Sequence, residues 1–411
     1  MANLPYPIPL PGLSDSQLTK LNAKSPEDIV IVSALRTALT KSRKGGFKDT
    51  LADELLYNVL KATLDKTGID PTLVQDITVG NVCTNLANAA RMASLAVGFP
   101  ETTSVSTCHR QCSSGLQAVV QVATAIQSGL IDIGIGAGVE SMTSDYFTRT
   151  NQFSKKLTTV PCVADCQLPM GITSENVAAE YGITRQEQDQ FSVASHKKAA
   201  AAQKAGYFKE EIVPVTVEVT DKDGKIKKVV VDEDDGVRAG TTIEILSKLK
   251  PAFNKEGSTT AGNASQISDG AAAVLLMKRK TAAKYGLPIL GRYVTSAVVG
   301  VPPRVMGIGP AYAIPVALER AGLKVADVDI FEINEAFASQ AVYCSKVLKI
   351  PFEKVNPKGG AIAIGHPLGC TGARQIATLF PELRRQNKRI GVTSMCIGSG
   401  MGMAAVFERE L

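Results

Sequence analysis

Two hydrophobic rhythms alternate along the first third of the chain. Ile29-Val30-Ile31-Val32-Ser33 is a short apolar run of the kind that makes a buried strand. Past a glycine turn at Lys44-Gly45-Gly46, Leu55, Leu56, Val59, Leu60 and Leu64 fall on one side of a helix over 52–67. The strand pattern returns at 76–82, a helical one at 88–98 and a Thr/Ser/Val run at 102–107. A helix over 116–130 and a glycine-punctuated strand over 131–140 follow. Alternation of this kind predicts an α/β layered architecture. The spacing Gly134-x-Gly136-x-Gly138 superficially resembles a dinucleotide loop, but the glycines lie inside the strand pattern and not between strand and helix. There they mark close approach of another backbone.

From 144 to 251 the pattern turns polar. Thr184-Arg185-Gln186-Glu187 is a capping box opening a long helix to Gln203, and His196 on it, beside Lys197 and Lys198, reads as a solvated surface histidine. Strands at 215–219 and 225–231 flank Asp221-Lys222-Asp223-Gly224 as a hairpin. Cys162 and Cys166 have no nearby histidine or second cysteine pair, which argues against a zinc site. The small-residue loop from Gly257 to Ser265 fits either a ligand lying on backbone amides or a tight solvent loop, and a strand follows over 271–277.

The last third repeats the grammar of the first. The run 328–334 resembles 74–81; Cys112-Ser113-Ser114-Gly115 and the segment Gly365 to Gly372 stand at comparable distances beyond. Each leads into a helix, 116–130 or 373–385, the second expected to be interrupted or kinked at Pro381. Strands over 131–139 and 390–396 close the pattern. The reading is a duplicated α/β unit: an N-terminal arm over 1–27, a first half over 28–290 with an inserted lobe at about 144–251, and a second half over 291–411. Duplication would set Cys112 and His366 at corresponding helix entrances.

Composition narrows the function. Of 411 residues, 45% are apolar and 5% aromatic, with 35 glycines and no tryptophan, so the core is built of small aliphatic residues packed closely. Base-stacking on single-stranded nucleic acid is disfavoured. A net charge of +6 suits an acidic small molecule as well as anything larger, and decides little. No run of eighteen apolar residues exists, and residues 1–25 lack the apolar core of a secretory signal. The eight cysteines are expected to be reduced, and the three histidines, His109, His196 and His366, make histidine chemistry easy to locate.

Cys112 stands where a strand gives way to a helix, and the positive end of the helix dipole favours a thiolate there. A histidine is its natural base, and His366 lies in a glycine-rich turn of the other half. Cys396, in Cys396-Ile397-Gly398-Ser399-Gly400, is a second thiol able to give and recover a proton. The backbone amides of Cys112 and Gly398 could stabilise an oxyanion. Asn334, just past a buried strand, could orient a water or a carbonyl. Together these point to carbon–carbon or acyl transfer through a thioester. Cys108 and His109 are left as packing residues.

The segments Cys112-Ser113-Ser114-Gly115, Asn334-Glu335-Ala336-Phe337, Gly365-His366-Pro367-Leu368-Gly369 and Cys396 to Gly402 resemble, in order and spacing, the four motifs of the thiolase family. With Asn81-Val82, Arg110-Gln111-Cys112 and Gly309-Pro310-Ala311-Tyr312, the likeness is greatest to the peroxisomal 3-ketoacyl-CoA thiolases. The resemblance implies a thiolase fold, two stacked five-stranded sheets flanked and separated by helices, plus a loop domain for coenzyme A. It makes Cys112 the nucleophile, His366 its activator, Asn334 the holder of a water, Cys396 the acid and base at carbon, and the Cys112 and Gly398 amides an oxyanion hole. It sets Ser265 and Ala264 along the pantetheine arm, Arg238 near the nucleotide end, and Met170, Met306 and Phe337 along the acyl cavity.

Coenzyme A would be a cosubstrate, with no tightly bound cofactor and no metal. A homodimer or homotetramer is expected, with no nucleic-acid partner and no membrane span. The alternatives are a biosynthetic acetoacetyl-CoA thiolase, which Pro169 argues against where some of those enzymes carry a histidine, a decarboxylating condensing enzyme, and an idle acyl-CoA or lipid-binding relative. Resemblance implies a peroxisomal location, with the cytoplasm as the alternative. The nonapeptide of peroxisomal thiolases is not matched from Lys20-Leu21, where Glu27 and Asp28 stand at the closing positions, and Glu408-Arg409-Glu410-Leu411 is no peroxisomal tripeptide.

Overall fold

The computed structural model describes residues 23–144, 146 and 153–411, so most of the expected N-terminal arm lies outside the described residues. Among the described residues, hydrogen bonds connect eleven strands into one sheet system, nine of them along its main path, but its middle is narrow. The strands Ile29–Thr37 and Gly291–Gly300 share just two residue pairs, Val30 with Arg292 and Ile31 with Gly291. On either side of this joint the strand order is the same. In the first half it runs Ser104–Cys108, Asp76–Gly80, Ile133–Ser141, Ser268–Lys278, Ile29–Thr37. In the second it runs Ile330–Ile333, Ile390–Ile397, Met401–Arg409, Gly291–Gly300. Both halves pair in parallel at the outer end and antiparallel towards the joint.

The expectation of five strands in each half needs one amendment. The counterpart of Ser104–Cys108 in the second half is a single parallel bridge between Phe331 and Val355. Pro351 and the short turn Phe352–Lys354 leave too little extended chain for a ladder.

Helices form the layers. Ala52–Thr67 packs on the outer face of the first half and Gly309–Arg320 on the outer face of the second. Between the sheets lie Ser114–Gln127 and Thr371–Arg385, the helices that follow Cys112 and His366. They meet at matched glycines: a Cβ on Gly115 would sit 2.6 Å from the Gly369 carbonyl oxygen, and one on Gly372 would sit 2.1 Å from the Leu116 nitrogen. The strand glycines serve the same close packing. A Cβ on Gly136 would reach 2.5 Å from Val119 Cα, and one on Gly138 would reach 2.2 Å from the Gly369 oxygen. Pro381 does not interrupt the helix: Thr371–Arg385 runs through it, giving up one backbone donor.

The inserted segment is not a detached lobe. Phe208, Ile212, Val215, Val217 and Val231 join the main apolar core. Beneath them Arg36 Nε donates to Glu211 at 2.8 Å and Arg36 Nη1 to Asp234 at 2.7 Å, all three side chains fully buried. Lys358 donates to the other oxygen of Glu211 at 2.5 Å. Removing one partner from such a buried set costs about 3–5 kcal/mol, so this network locks the insertion to both halves.

Candidate active site

The first helix entrance is laced by hydroxyls. After strand Ser104–Cys108 the chain reverses at Gln111, held at φ 46°. The amide of Arg110 donates to Ser114 Oγ at 2.9 Å, Ser114 Oγ to the Gln111 carbonyl at 2.6 Å and Ser113 Oγ to the Arg110 carbonyl at 2.9 Å. Cys112 is left half-buried, two residues ahead of the helix start. Cys108 behaves as a packing residue: its thiol donates to the Ser114 carbonyl at 3.3 Å, and burial pushes it up to about 12. His109 does not pack. It is exposed on this turn, a correction to its sequence reading.

The second entrance is buried. His366 follows Gly365, at φ 106°, and its amide donates to the Gln266 carbonyl at 3.0 Å. Thr371 Oγ1 lies 3.0 Å from the Pro367 carbonyl, to which it can donate, and 2.6 Å from His366 Nδ1. This arrangement suits a ring protonated at Nδ1, with Nε2 accepting from Asn334 Nδ2 at 3.2 Å. Burial, with the Arg374 charge behind it, holds His366 down at about 3, so the ring is neutral at ordinary pH.

Cys396 lies near the end of strand Ile390–Ile397, beside the strand that ends just before Asn334. Burial first, then the neighbouring Cys112 and Cys344, pushes its thiol well above the usual range. It is thus kept protonated. Around it pack Met306, Ala336 and Phe337, with Met170 and Ala264 at the edge. Gly398 closes the ring: its α-carbon faces Gln111 and Met170, a Cβ there meeting each at 3.7 Å.

Glu140, fully buried at its strand end, ties the loop after strand Asp76–Gly80 to the second entrance. It accepts from Asn81 Nδ2 at 3.0 Å, from the amides of Val82 at 3.1 Å and Cys83 at 3.0 Å, and from the Gly369 amide at 2.9 Å. Burial raises its carboxyl pKa while these donors pull it back.

The structure thus gathers Cys112, Cys396, Asn334, His366, Gly398, Met170, Met306, Phe337 and Ala264. Ser265 adjoins them, its amide donating to the Ala336 carbonyl at 2.9 Å. The loop before it is no solvent loop: Glu175 accepts from the amides of Ser258 and Thr259, and Asn263 is buried against Asp189. Arg238 stands apart on an exposed turn. Its amide donates to Nδ1 of His196 at 3.2 Å. His196 is buried, with 4% of its surface exposed, and burial lowers it to about 4, so the surface reading is overturned.

Sequence reasoning missed Thr371, Gln266 and Phe253. The Phe253 ring covers Gly171, where a Cβ would lie 2.2 Å from it, and meets Phe337 edge-on at 6.4 Å. Nothing in its local pattern separates it from an ordinary loop aromatic. Among the described residues no group of three or more side chains is arranged to hold a metal ion.

A repeated α/β unit with a half-exposed thiol, a neutral buried imidazole and a second, protonated thiol at its centre defines a thiol-dependent acyl-transfer enzyme. The family models for the N-terminal and C-terminal thiolase domains match residues 29–280 and 287–409, and the chain belongs to the thiolase family. It is 58% identical over 401 residues to the peroxisomal 3-ketoacyl CoA thiolase 1 of Petunia hybrida, covering 96% of this chain and 87% of the petunia one. It is 57% identical over 387 residues to the human peroxisomal 3-ketoacyl-CoA thiolase, covering 93% and 91%. The dimeric peroxisomal thiolase of Saccharomyces cerevisiae superposes with a TM-score of 0.89 at 49% identity, covering 97% of this chain and all of that one.

Proposed function

We propose that the chain is a 3-ketoacyl-CoA thiolase, an acyltransferase that cleaves 3-ketoacyl-CoA with coenzyme A to acetyl-CoA and an acyl-CoA shorter by two carbons. The observation that carries the reading is the meeting at one junction of a neutral buried imidazole, His366, a half-buried thiol, Cys112, and a second thiol, Cys396, that burial keeps protonated. Cys112 gives its proton to Nε2 and its sulfur attacks the 3-keto carbon. The developing alkoxide takes hydrogen bonds from the amides of Cys112 and Gly398. As it collapses, the bond between carbons 2 and 3 breaks and the electron pair stays on carbon 2 of the departing acetyl-CoA. Cys396 protonates that carbon and becomes a thiolate. In the second half-reaction coenzyme A returns the proton to Cys396, its sulfur attacks the acyl–Cys112 thioester, and the Cys112 thiolate recovers its proton from His366. Asn334 Oδ1 has no partner among the described residues, and a buried acceptor of this kind suits the water assigned to it.

Met170, Met306 and Phe337, with Phe253 above them, wall the acyl chain; Ala264 and Ser265 flank the pantetheine arm and Arg238 the nucleotide. The inserted segment at about 144–251 supplies Met170 to that wall. A homodimer is supported by the edge strand Ser104–Cys108, which is largely exposed, and by Met92 and Leu95, exposed on the adjoining helix. The names of the relatives support a peroxisomal location, to be checked by imaging the chain tagged at each end in turn. The decisive experiment is a rate profile over 3-ketoacyl-CoA chain lengths. Turnover of long chains supports the degradative reading; activity confined to acetoacetyl-CoA would replace it with the biosynthetic one.

A further inference from the structure

The turn that carries Arg238 is held from two sides. On one side Gln266 Nε2 lies 2.9 Å from each of the carbonyl oxygens of Gly236, Ile362 and Ala363, its two N–H groups shared among them, fastening the turn to the loop that leads to His366. A Cβ on Gly236 would sit 2.6 Å from the Ala363 oxygen, so these segments are pressed together. On the other side Nδ1 of His196 accepts the Arg238 amide itself, and the Arg238 carbonyl takes the Thr241 amide at 3.1 Å to close the turn.

His196 is itself anchored through its helix. The preceding residue, Ser195, donates through Oγ to Glu335 at 2.6 Å and accepts the Gly360 amide at 3.1 Å. Glu335 follows Asn334 directly, and it also takes Asn356 Nδ2 at 2.7 Å and the Ile362 amide at 3.2 Å. One turn of helix Arg185–Lys204 therefore bonds on successive residues to the catalytic loop and to the Arg238 turn.

We infer that His196 is a positioning residue for coenzyme A, fixing the backbone from which Arg238 reaches the nucleotide end. The inference rests on the assignment of Arg238 made above. An acceptor at Nδ1 is what the role requires, because the group it holds is a backbone N–H. His196 touches neither thiol, so its loss acts on cosubstrate affinity and leaves the chemical step alone.

Steady-state thiolysis, varying coenzyme A at saturating 3-ketoacyl-CoA, tests this with four variants. His196→Leu removes the acceptor. His196→Gln moves the amide group out towards the place of Nε2, and His196→Asn keeps an acceptor near the place of Nδ1. Arg238→Ala serves as the reference. The Leu and Gln variants are expected to raise KM for coenzyme A about tenfold, the scale of one lost hydrogen bond, with kcat within about twofold. The Asn variant is expected to restore KM to within about twofold. If Leu does not fold, the Gln and Asn pair carries the same contrast. Arg238→Ala raising KM while all three His196 variants leave it unchanged would overturn the inference alone, as would Asn and Gln behaving alike. Arg238→Ala leaving KM unchanged would overturn the assignment beneath it.

Discussion

The two halves share a strand order but not an environment at their helix entrances. In the first, strand Ser104–Cys108 is whole, and Cys112 sits two residues before helix Ser114–Gln127, half-buried and reachable. In the second, its counterpart has shrunk to one bridge, and His366 sits five residues before helix Thr371–Arg385 in full burial. The entrances correspond in place without corresponding residue by residue. Symmetry brings the two groups to one junction; the difference in burial gives them different jobs. A nucleophile must meet substrate, whereas a base with a fixed tautomer must be shielded and held.

The sharpest way to break this comparison is to remove the reachable thiol. Cys112→Ala should lower thiolysis by at least about 10³-fold while coenzyme A still binds by calorimetry, because loss of a nucleophile removes the covalent route. An active variant would place the nucleophile elsewhere. Next comes the tautomer. Thr371→Val keeps shape but leaves the Nδ1 proton without an acceptor, and kcat should fall about 10- to 100-fold with little change in KM. An unchanged kcat would mean the imidazole needs no such support.

Packing offers a smaller effect. Glycine to alanine inside a helix ordinarily stabilises, but Gly372→Ala drives a methyl into the Leu116 backbone. Melting should fall by several degrees, from overpacking of about 1–3 kcal/mol, with Gly115→Ala similar in sign. The last effect is pH-dependent and shows only on acidification. His366 is near 3 in the fold and about 6.5 unfolded, so the unfolded chain binds more protons between those values. Its contribution is complete above about 6.5 and is lost as pH falls towards 3. Melting curves of the wild type and His366→Asn should therefore shift against the wild type on acidification. A constant difference would contradict a neutral buried ring.

Much of this was legible in the sequence wherever burial meant apolar burial. The helix Ala52–Thr67 and the glycines of strand Ile133–Ser141 could be read from pattern alone, because their faces meet aliphatic neighbours. Helix Arg185–Lys204 shows why His196 could not. Its buried face includes Gln188, Asp189, Ser195 and His196, which satisfy loops through hydrogen bonds, so a polar pattern concealed an interior surface. The candidate site divided the same way. Cys112, His366 and Cys396 stood out by residue type and glycine setting, whereas Gln266 and Thr371 act through partners that only the folded chain brings near.

The long insertion leaves its mark on how the chain must be made. Strand Ile29–Thr37 finds its full-length neighbour only in Ser268–Lys278, while in the second half the strands Gly291–Gly300 and Met401–Arg409 lie much closer in sequence. At about 5–20 residues per second of synthesis, an apolar nine-residue strand waits for tens of seconds before that neighbour emerges. The first half thus carries the greater aggregation hazard in the nascent chain, and the second can close almost as soon as it is translated.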